Sequence, residues 1–171
     1  PLKSDGSVDH TALKTVIDHI IKGGAEYIVS LGTTGEAATL SSDEKKAVWD
    51  TTVAQVNGRV SLVAGIGGNN TSEVLNDLKK FDSKGFDAVL SVCPYYNKPT
   101  QEGIYQHYNA IADHSPLPII LYNVPGRTGI NMTAETTLRL AHDHKNIIAM
   151  KEASGNFEQF NKILKDKPDD F

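Results

Sequence analysis

Cysteine and tryptophan are scarce in this sequence of 171 residues, which contains one of each. The single cysteine, Cys93, excludes a framework of intramolecular disulfides and suits a reducing compartment. Long apolar runs are absent too. A membrane-spanning helix needs roughly 20 such residues in succession, so none is predicted. Positive charge is not in excess: the formal net charge is −4, so we predict neither nucleic acid nor a membrane as a partner. No signal peptide is seen, but the sequence begins with Pro1. Because the first residue is not Met, we expect the natural start to lie upstream. We expect a cytoplasmic protein.

The sequence does contain a pattern that repeats along the chain: a short apolar run, a turn rich in glycine, asparagine or proline, and an amphipathic stretch. The apolar runs span residues 27–31, 61–64, 88–92, 118–122 and 146–150. They are rich in β-branched residues and do not alternate with polar ones, which is typical of strands buried on both faces of a parallel sheet. Their spacing of about 30 residues favours right-handed βαβ units.

The predicted fold class is therefore α/β, with a parallel sheet that is either open or closed into a barrel. Five strands are fewer than the eight of a (β/α)8 barrel, and the chain opens with a helix that no strand precedes. We interpret residues 1–171 as a single partial barrel domain of about five central βα units, without the first and last strands of the barrel.

The helices carry their own start signals. The predicted N-terminal capping residues are Ser41, Asn70, Thr100 and Thr133. Glu44 and Glu73 follow the first two of these at the spacing of a capping box. The first helix is predicted from about residue 9 to residue 22, because its apolar residues recur at helical spacing and Gly23-Gly24 follows.

Chemistry in parallel α/β folds lies beyond the carboxyl ends of the strands, and the first two ends are rich in glycine. Strand one is followed by residues 32–36, GTTGE, a turn whose backbone N–H groups can hold a carboxylate or a phosphate. A plain turn capped by its threonines is the alternative. Strand two is followed by residues 65–70, which resemble a dinucleotide loop but have Asn70 where that loop has glycine or alanine. We predict no nucleotide cofactor.

Aromatic and cationic residues follow strands three and four. Tyr95 and Tyr96 lie between prolines after strand three, where a phenol can pass a proton or pack against a partner chain. Strand four ends in Tyr122, and Arg127 lies on the loop above it, where a planar guanidinium suits a substrate carboxylate. The alternatives are packing roles for the tyrosines and a solvated arginine. Cys93 has no base beside it in sequence, so we expect a small buried residue.

Strand five ends in Lys151, directly after the apolar residues 147–150. A lysine whose head group enters a packed barrel loses hydration, which favours its neutral amine. A neutral amine can attack a ketone and form a Schiff base. The alternative is a lysine that extends to solvent at the rim.

A metal centre is not predicted. The histidines lie on predicted helices or at their ends, and none follows a strand where a catalytic zinc would be held. His142 and His144 are two residues apart and do not share a helix face. These positions favour lysine-based over zinc-based aldol chemistry.

Motifs at the strand ends carry a resemblance to a known family. They are GTTGE at 32–36, PYYNKP at 94–99, YNVPGRTG at 122–129 and MKEASGN at 150–156. In this order, the chain resembles the dihydrodipicolinate synthase / N-acetylneuraminate lyase family of pyruvate-dependent class I aldolases along essentially its whole length. The resemblance implies a (β/α)8 barrel, a lyase activity without metal or cofactor, and a homo-oligomer built as a dimer of dimers.

The resemblance also implies the catalytic roles. Lys151 would form the Schiff base with pyruvate, and Tyr122 would relay protons during imine formation and the carbon–carbon step. Thr33 and Tyr96 would complete the relay. The neighbouring subunit supplies the Tyr96 equivalent in this family, so the implied active unit is at least a dimer.

Two substrates are implied in the same way. Gly32, Thr33 and Thr34 would hold the carboxylate of pyruvate, and Arg127 that of L-aspartate 4-semialdehyde, in the diaminopimelate route to lysine. Arg127 favours this synthase over N-acetylneuraminate lyases and 2-keto-3-deoxy sugar-acid aldolases, which by resemblance lack this arginine. The sequence is also compatible with a binding protein of the same fold and with a catalytically incompetent fragment.

Lysine-inhibited members of this family imply a candidate allosteric site. Asn69, Glu73 and Tyr95 match it. Those members carry other polar groups just after GTTGE and on the following helix, where this chain has Ala37, Ala38, Ser42 and Lys45. Inhibition by lysine is therefore left open.

Overall fold

The computed structural model describes residues 1–171, which form five β-strands, seven α-helices and two single-turn 3₁₀ helices. The strands are β1 (Tyr27–Ser30), β2 (Ser61–Gly65), β3 (Ala88–Val92), β4 (Ile119–Asn123) and β5 (Ile147–Glu152). The helices are α1 (His10–Lys22), α2 (Ser42–Val56), α3 (Thr71–Lys80), α4 (Gln101–His114), α5 (Pro125–Thr128), α6 (Ala134–Asp143) and α7 (Phe157–Asp166). The 3₁₀ helices span Thr33–Gly35 and Ala37–Thr39.

The strands form one sheet in the order β1-β2-β3-β4-β5. The β1–β2, β3–β4 and β4–β5 pairs are parallel, as expected for strands joined by helical crossovers. Each predicted apolar run became a strand, and the predicted α/β class is confirmed. Strand β5 continues one residue beyond its predicted end at Lys151, to Glu152.

The predicted caps begin their helices. Ser41 and Glu44 form a reciprocal capping box on α2: the Ser41 N–H donates to Glu44 Oε2 at 2.9 Å, and the Glu44 N–H donates to Ser41 Oγ at 3.3 Å. Asn70, Thr100 and Thr133 each accept a backbone N–H in the first turn of α3, α4 and α6. The side chain of Asp9 caps α1 in the same way. Local sequence therefore sets the start of every long helix before β5.

Two compact units make up the chain. The first comprises Pro1–Gly65 and Ser83–Ala88, and its core contains Ile17, Ile28, Val48 and Leu62, all buried. Asp18 on α1 accepts hydrogen bonds from Gln55 Nε2 at 2.8 Å and from Arg59 Nη2 at 2.6 Å, which joins α1 to α2 and the turn after it.

The second unit comprises Ile66–Asp82 and Val89–Phe171. Helix α4 lies at its centre, with Ile104, Tyr108 and Ile111 fully buried. The Tyr108 hydroxyl donates to Ser91 O at 2.9 Å. His107 Nδ1 lies 2.8 Å from Thr71 Oγ1, which ties α4 to the start of α3.

Close backbone contacts explain Gly65, the last residue of β2, and Gly67 in the turn after it. A Cβ at Gly65 would lie 2.2 Å from Leu31 O, and a Cβ at Gly67 would lie 2.8 Å from Val92 N. Both positions therefore need glycine because backbone approaches closely.

None of the helices combines the length and the apolar character that crossing a membrane requires.

Candidate active site

Lys151 and Tyr122 lie side by side on β5 and β4 in the second unit. The two residues are register partners in the parallel pair, and partners in a parallel pair project from the same face of the sheet. Lys151 Nζ lies 4.4 Å from the centroid of the Tyr122 ring. Tyr122 is 6% exposed, whereas Lys151 is exposed. The structure therefore places a primary amine against a phenol ring at the carboxyl end of the strands.

An irregularity in the pairing of β4 with β5 sets this register. Ile119 pairs with Ile147, but the next residue, Ile120, pairs with Ala149. Strand β5 thus carries one extra residue, Ile148, as in a β-bulge. Because the side-chain period of a strand is two, this extra residue determines that Lys151 shares a face with Tyr122.

A second polar pair, Asn123 and Glu152, follows directly on the same two strands. These residues are also register partners, and alternation directs them to the face opposite Tyr122 and Lys151. Asn123 Nδ2 donates to Glu152 Oε1 at 3.2 Å and to Glu152 Oε2 at 3.1 Å. The pair was not predicted from the sequence. A signal was present, because each residue is polar and follows a candidate catalytic residue at the end of an apolar strand.

The loop that carries Tyr95 and Tyr96 is held in a defined conformation. Tyr96 has a positive φ of 73° and is 85% exposed. Its N–H donates to Thr128 O at 3.2 Å, and Asn69 Nδ2 donates to Tyr95 O at 3.1 Å. A non-glycine residue in this region costs of order 1–3 kcal/mol and persists only where its surroundings enforce it. Asn69 and Tyr95 are thus in contact, while Glu73 is exposed on the first turn of α3.

Arg127 lies in a short helix, α5, where the sequence predicted a loop. Pro125 occupies the first turn, and the helix ends at Gly129, which has a φ of 74°. Arg127 is exposed. The neighbouring Thr128 carbonyl accepts the Tyr96 N–H, so the segments that carry Arg127 and Tyr96 are joined by a backbone hydrogen bond.

Gly32, Thr33 and Thr34 belong to the first unit. The predicted tight turn is a single 3₁₀ turn in which the Gly35 N–H donates to Gly32 O at 2.9 Å. Thr33 and Thr34 are exposed. A cavity of about 310 Å³ in this unit includes Thr34 and Gly35 in its lining, but most of the residues that line it are apolar. A mostly apolar wall is a poor match for a charged keto acid.

Burial shifts the pKa of Cys93 and that of His107 in the second unit. Burial raises the pKa of the Cys93 thiol to about 12, so the residue stays protonated and unreactive, as its predicted burial implies. Burial also lowers the pKa of His107 to about 4. No group of three or more histidine, cysteine or acidic side chains is arranged to hold a metal ion.

The fold and the Lys151–Tyr122 geometry define a class of protein: an α/β protein with an amine and a phenol at the carboxyl ends of adjacent parallel strands. The sequence model of the dihydrodipicolinate synthetase family matches residues 1–171. The 4-hydroxy-tetrahydrodipicolinate synthase of Flavobacterium psychrophilum is 59% identical over 171 residues, which cover 100% of this chain and 58% of the relative. The chain belongs to the dihydrodipicolinate synthetase family.

Solved structures agree with this assignment. The dihydrodipicolinate synthase from Cyanidioschyzon merolae with lysine bound has a TM-score of 0.95 and 45% identity, and the match covers 100% of this chain and 58% of that one. The chloride-inhibited dihydrodipicolinate synthase from Acinetobacter baumannii complexed with pyruvate has a TM-score of 0.92 and 44% identity, over 96% of this chain and 56% of that one. The family resemblance read from the strand-end motifs is confirmed, and the chain spans less than two thirds of the length of these relatives.

Proposed function

We propose that this chain is part of a 4-hydroxy-tetrahydrodipicolinate synthase, a lyase that condenses pyruvate with L-aspartate 4-semialdehyde in the diaminopimelate route to lysine. The observation that carries the proposal is the position of Lys151 Nζ, 4.4 Å from the Tyr122 ring centroid. The names of the relatives and the pyruvate complex of the Acinetobacter relative support it. In this proposal, residues 1–171 form one partial domain of a (β/α)8 barrel in a cytoplasmic protein, which suits the single buried Cys93.

The chemistry follows from the reactivity of an amine with a ketone. The neutral Lys151 amine attacks C2 of pyruvate, and water leaves as the carbon–nitrogen double bond of the iminium forms. Loss of a C3 proton gives an enamine, whose carbon attacks the aldehyde of the second substrate and forms the new carbon–carbon bond. The amino group of that substrate then attacks the iminium carbon and displaces Lys151, which closes the ring and frees the enzyme. The iminium serves as the electron sink, so this route requires neither a metal nor a cofactor.

Proton transfers at each step fall to Tyr122 in this proposal, with Thr33 and Tyr96 as relay partners. A phenol held beside the reacting nitrogen can give and take protons without bulk water. Tyr96 would come from a neighbouring subunit, and its 85% exposure on a constrained loop supports this role. In a two-fold contact of this kind, each subunit contributes its Tyr96 to its partner and receives the partner's Tyr96 in return. Such a contact fits a homotetramer built as a dimer of dimers.

Carboxylate recognition completes the proposal. The backbone N–H groups and hydroxyls of Gly32, Thr33 and Thr34 would hold pyruvate, and the exposed guanidinium of Arg127 would meet the carboxylate of aspartate semialdehyde. Thr33, Thr34 and Arg127 are exposed, as groups that receive a substrate must be before it binds.

A substrate comparison with the full-length protein tests this function. Pyruvate with L-aspartate 4-semialdehyde should be converted, whereas N-acetylneuraminate and 2-keto-3-deoxy sugar acids should be cleaved far more slowly. Lys151→Arg is the matched control and should lose nearly all turnover, because a guanidinium stays protonated and cannot form the imine. Robust cleavage of N-acetylneuraminate without synthase activity would contradict the proposal.

A further inference from the structure

The carboxylate of Glu152 lies behind the lysine-bearing end of β5 and is fully engaged by neutral donors. Besides the two contacts from Asn123 Nδ2, it accepts Gln159 Nε2 at 2.7 Å and the Ser154 N–H at 2.7 Å. None of the ion pairs in the structure includes Glu152. A half-buried carboxylate held by amides alone is a positional anchor, because directed hydrogen bonds fix both of its oxygens.

The donors around Glu152 are themselves fixed from several elements. Asn131 Nδ2 donates to Gln159 Oε1 at 2.8 Å, and Asn123 Nδ2 donates to Asn131 Oδ1 at 2.7 Å. Gln101 Nε2 donates to Asn131 O at 2.8 Å. Asn123 is fully buried, and Gln159 is 9% exposed. The network therefore links the ends of β4 and β5 to the first turns of α4 and α7.

The register of β5 above Ile148 is what this anchor would fix. The extra residue Ile148 separates the lower and upper parts of the strand, so pairing at Ile147 does not by itself fix the register above it. A slip by one residue would turn Lys151 to the opposite face. The Asn123–Glu152 contact holds the pairing one step beyond Lys151, at the end of a strand whose lysine is exposed.

We propose that Glu152 is a positioning residue that holds Lys151 over Tyr122 for imine formation, with Gln159 as its principal donor. This inference rests on the proposed function. Successive residues of a strand project to opposite faces, so locking the Glu152 side chain on one face fixes the direction of Lys151 on the other. A carboxylate suits the place because its acceptor oxygens face the converging N–H groups, whereas an amide would turn its own NH₂ toward one of them.

Two variants separate position from charge. Glu152→Gln keeps the shape and removes the charge, while Gln159→Met keeps the charge and removes the 2.7 Å donor. Glu158→Gln is the control, since Glu158 is exposed beside Gln159 on the same helix. The rate of imine formation at saturating pyruvate, read by borohydride reduction, should fall about 100-fold in Glu152→Gln and about 10-fold in Gln159→Met, because small misplacements of reacting groups cost factors of this size. The control should stay within about twofold.

The pyruvate concentration at half-saturation distinguishes positioning from general damage. It should change less than about threefold in both variants, because the proposed role of Glu152 involves no contact with pyruvate and only the attack geometry is lost. A merely structural role would lower the unfolding midpoint and leave the saturated rate of the folded enzyme unchanged, which would overturn the inference. A slow Glu152→Gln beside a normal Gln159→Met would assign the effect to charge and would also overturn it.

Three further outcomes are decided by the same measurements. If Glu152→Gln does not fold, the milder Gln159→Met decides alone: slow imine formation supports the anchor, and a wild-type rate refutes it. If the wild-type protein forms no imine with pyruvate, the proposed function fails and the role of Glu152 falls with it. If the wild type forms the imine and the variants form it equally fast, only the positioning role is refuted.

Discussion

Acidification should weaken the fold through one buried histidine, His107. Its side chain is 4% exposed, and its Nδ1 contacts Thr71 Oγ1 at 2.8 Å. Burial lowers the pKa of His107 from 6.5 to about 4. Between these two pKa values, His107 is protonated in the unfolded chain and neutral in the folded chain. The free energy of unfolding therefore falls as the pH drops below 6.5, until the folded form also protonates near pH 4.

The magnitude follows from the size of this pKa shift. Each pKa unit corresponds to about 1.4 kcal/mol, so full expression of the difference costs about 3.4 kcal/mol below pH 4. At pH 5, most of the unfolded chains carry the proton and few folded ones do, which makes the loss about 2 kcal/mol. Carboxylates lose their own contributions in the same range, so only a comparison between variants isolates the histidine.

His107→Asn is the matched perturbation, because an asparagine amide can replace the Nδ1 contact with Thr71 and does not titrate. Urea unfolding at pH 7.5 and pH 5 should show a wild-type loss of stability that exceeds the loss in His107→Asn by about 2 kcal/mol. His19→Asn, at an exposed position on α1, should behave as the wild type. Equal pH dependence in wild type and His107→Asn, or an NMR titration that gives His107 a pKa near 6.5, would refute the reasoning.

Three other predictions concern the substrate, the assembly and a helix cap. Arg127→Ala should raise the KM for aspartate semialdehyde by about 30-fold, the loss of about 2 kcal/mol from a charge-assisted contact, and leave pyruvate imine formation intact; equal damage to both would show that Arg127 only supports its loop. Mixing inactive Lys151→Arg and Tyr96→Phe proteins should restore activity in heterodimers, and heterodimers without activity would place Tyr96 in its own subunit's site. Ser41→Ala should lower the free energy of unfolding by about 1 kcal/mol through the lost cap on α2, and an equal loss in Ser42→Ala, one position on, would contradict that cause.

The strands and long helices were predictable because their causes are local. Short β-branched runs between glycine-rich turns have few alternatives to buried parallel strands, and each became a strand in the structure. Ser41 and Thr100 mark helix starts because their hydroxyls accept N–H groups only three residues away. The family motifs were found because each follows one of these predicted strands, and the catalytic roles assigned to their residues remain proposals.

The rest depends on contacts between distant residues. The extra residue Ile148 leaves no local signal, and yet it sets which face Lys151 occupies. Asn123 lies 29 residues before Glu152 in the sequence, so their hydrogen bond follows only from the packing of β4 against β5. The helical turn around Arg127 was missed because Pro125 and Gly126 are also typical of irregular loops.

The central claim is that Lys151 is the amine that captures pyruvate, and borohydride trapping tests it most directly. The full-length protein is incubated with pyruvate, reduced and digested, and the modified peptide is identified by mass spectrometry. We predict a stable adduct on the peptide that contains Lys151, and none in Lys151→Arg. An adduct on another lysine, or an active enzyme that yields no adduct, would contradict the claim.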